Sequence, residues 1–157
     1  MTRRAAAYVA AIGVLAGLAG GLAEVIWIWT YASLTNTDAG LVARGVATAV
    51  RFNQNVFPVV SGIAIHMGLA SVLGVAVALA LRPVAGLLNG LGLYAAVSAA
   101  LLIVWAVNFL VVLPLVSPQF IDVVPYAVSL ISKVLFGITA AAIFQFAQLL
   151  GPRILRA

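Results

Sequence analysis

Four runs of this chain are each long and apolar enough to cross a lipid bilayer as a helix, and no other feature limits its fold so strongly. A spanning helix needs about 20 apolar residues. The runs cover residues 5–31, 57–81, 87–116 and 125–150. Lipid offers no hydrogen bonds to an open strand, and the alternating pattern of a membrane barrel is absent, so helices are expected. The fold class that follows is an all-α membrane protein, a four-transmembrane-helix up-down bundle. Residues 1–157 read as a single transmembrane domain.

Composition agrees. Hydrophobic residues make up 66% of the 157 and charged residues 7%, against about 45–50% and about 25% in a soluble domain. A small water-soluble fold lacks the interior to hide so much apolar surface. Membrane lipids are therefore the first partner, and other membrane subunits the second. The absence of cysteine removes disulfides, thiolate metal sites and cysteine nucleophiles together. The net charge of +5 does not point to nucleic acid. Its basic residues sit beside apolar spans, where they set topology and meet anionic headgroups, and no basic face carries interleaved aromatics.

Arg3 and Arg4 before an Ala/Gly/Leu run resemble the start of a signal peptide. The run continues through Val25 to Tyr31, beyond the length of a signal's apolar region, so a retained first helix is expected.

The connections differ in character. Residues 82–86 (Arg-Pro-Val-Ala-Gly) read as a short basic turn. Ser117-Pro118 reads as a helix start in the link that also holds Asp122. The link over residues 32–56 is long. Asn36-Thr37-Asp38 resembles an N-cap. After it, Arg44, Thr48, Arg51 and Asn55 recur on one side at helical spacing, with Leu41, Val42, Gly45, Val46, Ala49 and Val50 on the other. This predicts a short interfacial amphipathic helix between the first two spans, over residues 39–52. Anchoring is its plain role and docking a partner the sharper one.

Arg3, Arg4, Arg82, Arg153 and Arg156 fall at the two termini and the 82–86 turn, which an even number of spans brings to one face. The other face has Arg44 and Arg51 balanced by Asp38 and Asp122. The positive-inside rule then predicts a multi-pass protein of the cell membrane, the inner membrane of a bacterium, with both termini cytoplasmic. Trp27, Trp29 and Tyr31 mark the outer end of the first helix. Gly13, Gly17 and Gly21 form a small-residue seam that suits close helix packing, within the bundle in preference to a homodimer.

Ionisable groups are costly in hydrocarbon and need a reason. Within the spans there are three, Glu24, His66 and Lys133, and the third span contributes Asn108. Glu24 is seven residues before Tyr31, and Asn108 eight before Val116; His66 is eight after Pro58, and Lys133 eight after Pro125. At about 1.5 Å per residue, all four lie about 10–12 Å below the outer edge, in one polar layer. The shared proline-plus-eight pattern hints at a duplicated helical hairpin.

One reading of the layer is structural: a Glu24–Lys133 ion pair whose hydrogen bonds are completed by His66 and Asn108. The other is a pocket open to the outer face. There Glu24 or His66 accepts protons, Lys133 holds an anionic or carbonyl group and Asn108 orients it, with Trp105, Tyr126 and Ser129 as lining. A quinone headgroup suits such a mixture. A haem would find His66 as an axial ligand but no second histidine, and a metal hydrolase needs more clustered ligands than are present. Gln145 and Gln148 read as interfacial. No cofactor is identified by the sequence, and no catalytic constellation stands out. The leading reading is a non-catalytic accessory or structural subunit of a membrane assembly. The alternatives are a small transporter or proton/ion-conducting protein using the polar layer, and a quinone- or haem-binding component of a membrane oxidoreductase.

Overall fold

The computed structural model describes residues 3–49 and 57–150. Arg51, Asn55, Arg153 and Arg156, and residues 50–52 of the expected amphipathic helix, lie outside them. Among the described residues the fold is helical without strands: α1 (Arg3–Thr35), α2 (Ala39–Ala49), α3 (Pro58–Leu81), α4 (Gly90–Val107), α5 (Leu113–Val116), α6 (Pro118–Val123) and α7 (Tyr126–Leu150). Four helical runs are long and apolar enough to cross a membrane: α1, α3 with its following turn, α4 through α5, and α7. Large apolar side chains such as Leu15, Leu22, Ile26, Val72, Ile103, Leu110 and Phe146 point outward, exposed. The core is correspondingly small-residue and compact, as expected where lipid is the solvent. The chain is an integral, multi-pass membrane protein with an all-α bundle.

Several boundaries differ from the sequence reading for local reasons. The first helix runs a turn past Tyr31, through polar sequence whose Thr30, Ser33 and Thr35 hydroxyls donate to their i−4 carbonyls at 2.8–2.9 Å and so find partners within the helix. It stops at Asn36, whose φ of 55° is left-handed, with the Thr37 N–H bonded to the Ala32 carbonyl at 3.0 Å. That is a Schellman-type stop. Asp38 then caps α2 by accepting the Gly40 N–H at 2.7 Å. Its carboxyl is held below the usual range by the Arg44 guanidinium that bonds it and by the Gly40 N–H. The third span begins at Gly90, not Leu87. Arg82–Val84 forms a 3₁₀ turn, the Leu87 N–H closes onto Val84 O, and Gly90 takes φ +46°, so Leu87–Asn89 stay outside the helix.

The third span is also not a continuous α-helix. Asn108–Val112 forms a π turn in which the Leu113 N–H bonds Asn108 O. Pro114 accounts for it. The proline has no N–H to give the Leu110 carbonyl, and its ring crowds that carbonyl, so the turn widens.

α1 is the organising helix. It packs against α3 on one side and α7 on the other, and α7 in turn packs against α4. The glycine seam faces α3: Gly13 and Gly17 interlock with Gly74 and Ala70, and a Cβ added at either would strike α3 backbone. On the α7 side, Gly20 leaves room for the Phe136 ring. Ala16, Ala70, Val77, Leu93, Val97, Leu101, Phe136, Ala140, Ala141 and Phe144 fill the half of the bundle near the 82–86 turn. At the other end α2 packs on α3, where Gly62 lets the Ala43 carbonyl approach, and on α6, where Gly45 sits under Phe120. Among the described residues, α3 and α4 touch little above their connecting turn, which leaves an open seam between them.

Candidate intramembrane binding site

The open seam leads into a cavity of about 480 Å³. α3 forms one wall through Gly62, Ile63, His66 and Leu73, and the π turn and its flanks form the other through Val104, Asn108, Phe109 and Val112. α2 roofs it with Val42, Ala43 and Val46. At the base, α1 and α7 bring in Glu24, Ser129, Ser132 and Lys133. Apart from this base and Asn108, the lining is mainly hydrocarbon and aromatic.

Glu24 is the centre of the polar base and only 3% exposed. Its Oε1 accepts from Lys133 Nζ at 2.7 Å and from Ser132 Oγ at 2.9 Å. Lys133 Nζ also stands 5.2 Å from the Phe136 ring centroid, a cation–π contact. The second oxygen, Oε2, is buried and has no hydrogen-bond partner. His66 Nε2 is the nearest basic atom, at 3.5 Å, and is also 3.4 Å from the Gly21 carbonyl. Both separations are at the long limit for a hydrogen bond, and one N–H cannot serve both acceptors well.

The three ionisable groups of the sequence's polar layer thus meet, and Lys133 and His66 approach opposite oxygens of one carboxylate. Asn108 shares the cavity on its far wall and makes no side-chain hydrogen bond among the described residues. It does not complete the Glu24–Lys133 pair. Ser132 does, a residue that sequence reasoning passed over. The available signal was its spacing: Ser129, Ser132 and Phe136 lie on one face of α7.

The expected lining divides. Ser129 lines the cavity and is buried. Trp105 and Tyr126 do not line it; they pack behind the wall. Trp105 Nε1 donates to Ser129 Oγ at 2.9 Å, and Ser129 Oγ donates to Tyr126 O at 2.9 Å. Trp105 stacks on Phe109 with centroids 5.9 Å apart, and Tyr126 meets Phe109 edge-on at 6.3 Å. These rings hold α4 to α7 and set the position of the π turn. The aromatic faces that reach the cavity are Phe109, Phe120 and Trp29. Trp27 is anchored elsewhere, donating to Val128 O at 3.0 Å. Gln148 donates to Ala85 O at 3.4 Å, tying the far end of α7 to the 82–86 turn.

Among the described residues no group of three or more His, Cys, Asp and Glu side chains could hold a metal ion. Comparison with known protein families, with curated proteins and with solved structures gives no match. The site's chemistry is therefore read from its geometry.

Proposed function

We propose that this protein binds a small lipophilic molecule within the membrane, in the cavity between α3 and α4, with the molecule's polar head at Glu24, His66 and Asn108. The observation that carries this reading is the cavity itself: about 480 Å³ of mainly apolar lining that ends on a few buried polar groups. Ligand pockets have this composition and a similar size. A purely structural layer would use up its polar atoms and fill its space, whereas Glu24 Oε2 is without a partner and Asn108 makes no side-chain bond among the described residues.

Binding is favoured over conduction. Below the polar base, Phe136 and Leu101 are fully buried in a packed apolar cluster, which speaks against a water-filled path. A haem is disfavoured, because Nε2 of the chain's one histidine is turned to Glu24 and Gly21 O. The role that fits is non-catalytic, either carrying or presenting the ligand, alone or as a subunit of a membrane assembly. Native mass spectrometry of protein extracted from its own membrane tests this. A one-to-one adduct of a few hundred daltons is expected, and protein at its bare mass under conditions that retain bound lipids elsewhere would contradict it.

We further place the chain in the cell membrane with both termini cytoplasmic, on the asymmetry of its arginines. Reporter fusions after Arg4, in the 82–86 turn and at Ala157 should all read as cytoplasmic, and a fusion between α1 and α2 as external. An external signal at Ala157 would reverse the assignment.

A further inference from the structure

The proposal above leaves the ligand's head undefined, and the hydrogen-bond inventory at the base of the cavity narrows it. Ser132 Oγ donates to Glu24 Oε1, and Lys133 Nζ gives one N–H to the same oxygen while facing the Phe136 ring. The buried Oε2 of Glu24 is left without a donor. A buried carboxylate oxygen without a donor is costly, and a hydrogen bond to a charged group is among the stronger ones. Across the cavity, Asn108 offers an amide that either donates or accepts.

Charge narrows it further. Glu24 and Lys133 pair as opposite charges, so the base offers no unpaired charge to a charged head. An ammonium or a carboxylate brought into this low-dielectric site would add a charge with no counter-ion. A hydroxyl adds none.

We infer that the cavity selects a neutral lipophile whose head carries a hydroxyl, such as a hydroquinone or another phenol, with the hydroxyl donating to Glu24 Oε2 and the far side of the head meeting Asn108. The inference rests on the reading of the cavity as a ligand site. It predicts discrimination between redox states of one compound. A hydroquinone can donate to Glu24 Oε2, whereas its quinone has only carbonyl acceptors, which leave that oxygen without a donor. Sites built to bond a hydroxyl reject analogues that lack it.

The test is isothermal titration of the full-length protein in non-ionic detergent with four probes of equal tail length. They are a decyl hydroquinone, its quinone, its dimethyl ether and decylammonium. The hydroquinone should bind at least about tenfold more tightly than each of the others. Glu24→Gln should reduce that preference to about twofold or less. Since that variant risks poor folding, Asn108→Leu supplies a second arm: it should weaken the hydroquinone but preserve its advantage over the dimethyl ether. Equal affinity for hydroquinone and ether would overturn the inference and leave the cavity reading in place. Tighter binding of decylammonium would overturn the choice of a neutral head. If no probe binds, the inference falls, and the native mass adduct decides separately whether the cavity reading falls with it.

Discussion

Lys133→Met should destabilise the detergent-solubilised protein by about 3 kcal/mol, and Glu24→Gln by a similar or smaller amount. The reason is the burial of the pair. Glu24 has 4% of its side chain exposed and Lys133 16%, and they meet at 2.7 Å. Removing Lys133 leaves a carboxylate with only Ser132 donating to it and His66 at long range. Removing the charge of Glu24 leaves an ammonium held by the Phe136 face. The double variant strands neither charge, so its loss should be smaller than the sum of the single losses by about 1–3 kcal/mol. Reversible unfolding of the four proteins gives the coupling directly. A coupling near zero would mean that the ion pair contributes nothing to holding α1 against α7. The absolute gain from such a pair is modest in a membrane, so its main consequence is register: it sets Glu24 opposite Lys133 and the rest of α1 follows.

Gly17→Leu should be still more damaging, with a loss of about 3 kcal/mol or more. A Cβ there would collide with the Ala70 carbonyl and Ser71 Cα, which are backbone-linked atoms of α3 and cannot rotate away. Relief requires α1 and α3 to separate along the seam that includes Gly13 and Gly74. That motion would also shift His66 away from Glu24. Gly92→Leu is the control. Its Cβ would meet only Leu88 Cδ2 at 4.0 Å, and leucine favours the helix over glycine, so the change should be neutral or slightly stabilising. Thermal unfolding in one detergent compares the two. Equal effects would mean that the α1–α3 contact does not limit stability.

The sequence shows these spans clearly because lipid leaves little choice: a long apolar run in a membrane must be helical. Depth was legible too, from the prolines that open the second and fourth spans and from Tyr31, although α1 itself runs on to Thr35. Counting from them puts Glu24, His66 and Lys133 at one level, and they meet. Direction around each helix was much less legible. All the spans are apolar on every side, so the pattern that tells inside from outside in a soluble helix is faint. The sequence offers Asn108 either to the ion pair or to a pocket, and it faces the pair across a cavity. Trp105 and Tyr126 read as lining, whereas they pack on Phe109 behind the wall. Ser132 was passed over beside the more conspicuous Lys133. The π turn had a visible cause in Pro114, an imino acid inside an apolar run. The cavity had none, since it arises from the failure of α3 and α4 to close on each other, a property of the whole packing. The α2 roof depends on Gly45 and Gly62, whose role appears only once Phe120 and Ala43 are seen against them.

The most direct test of the ligand-binding account is native mass spectrometry of the protein beside two tryptophan variants. Val112 lines the cavity, so Val112→Trp adds an indole at its wall, whereas Val111, also exposed, does not line it and Val111→Trp serves as the control. The wild type and Val111→Trp should carry the same one-to-one adduct, and Val112→Trp should lose it while keeping the wild-type unfolding temperature to within a few degrees. An adduct retained in full by Val112→Trp, or absent from all three proteins, would contradict the claim that this cavity holds a ligand.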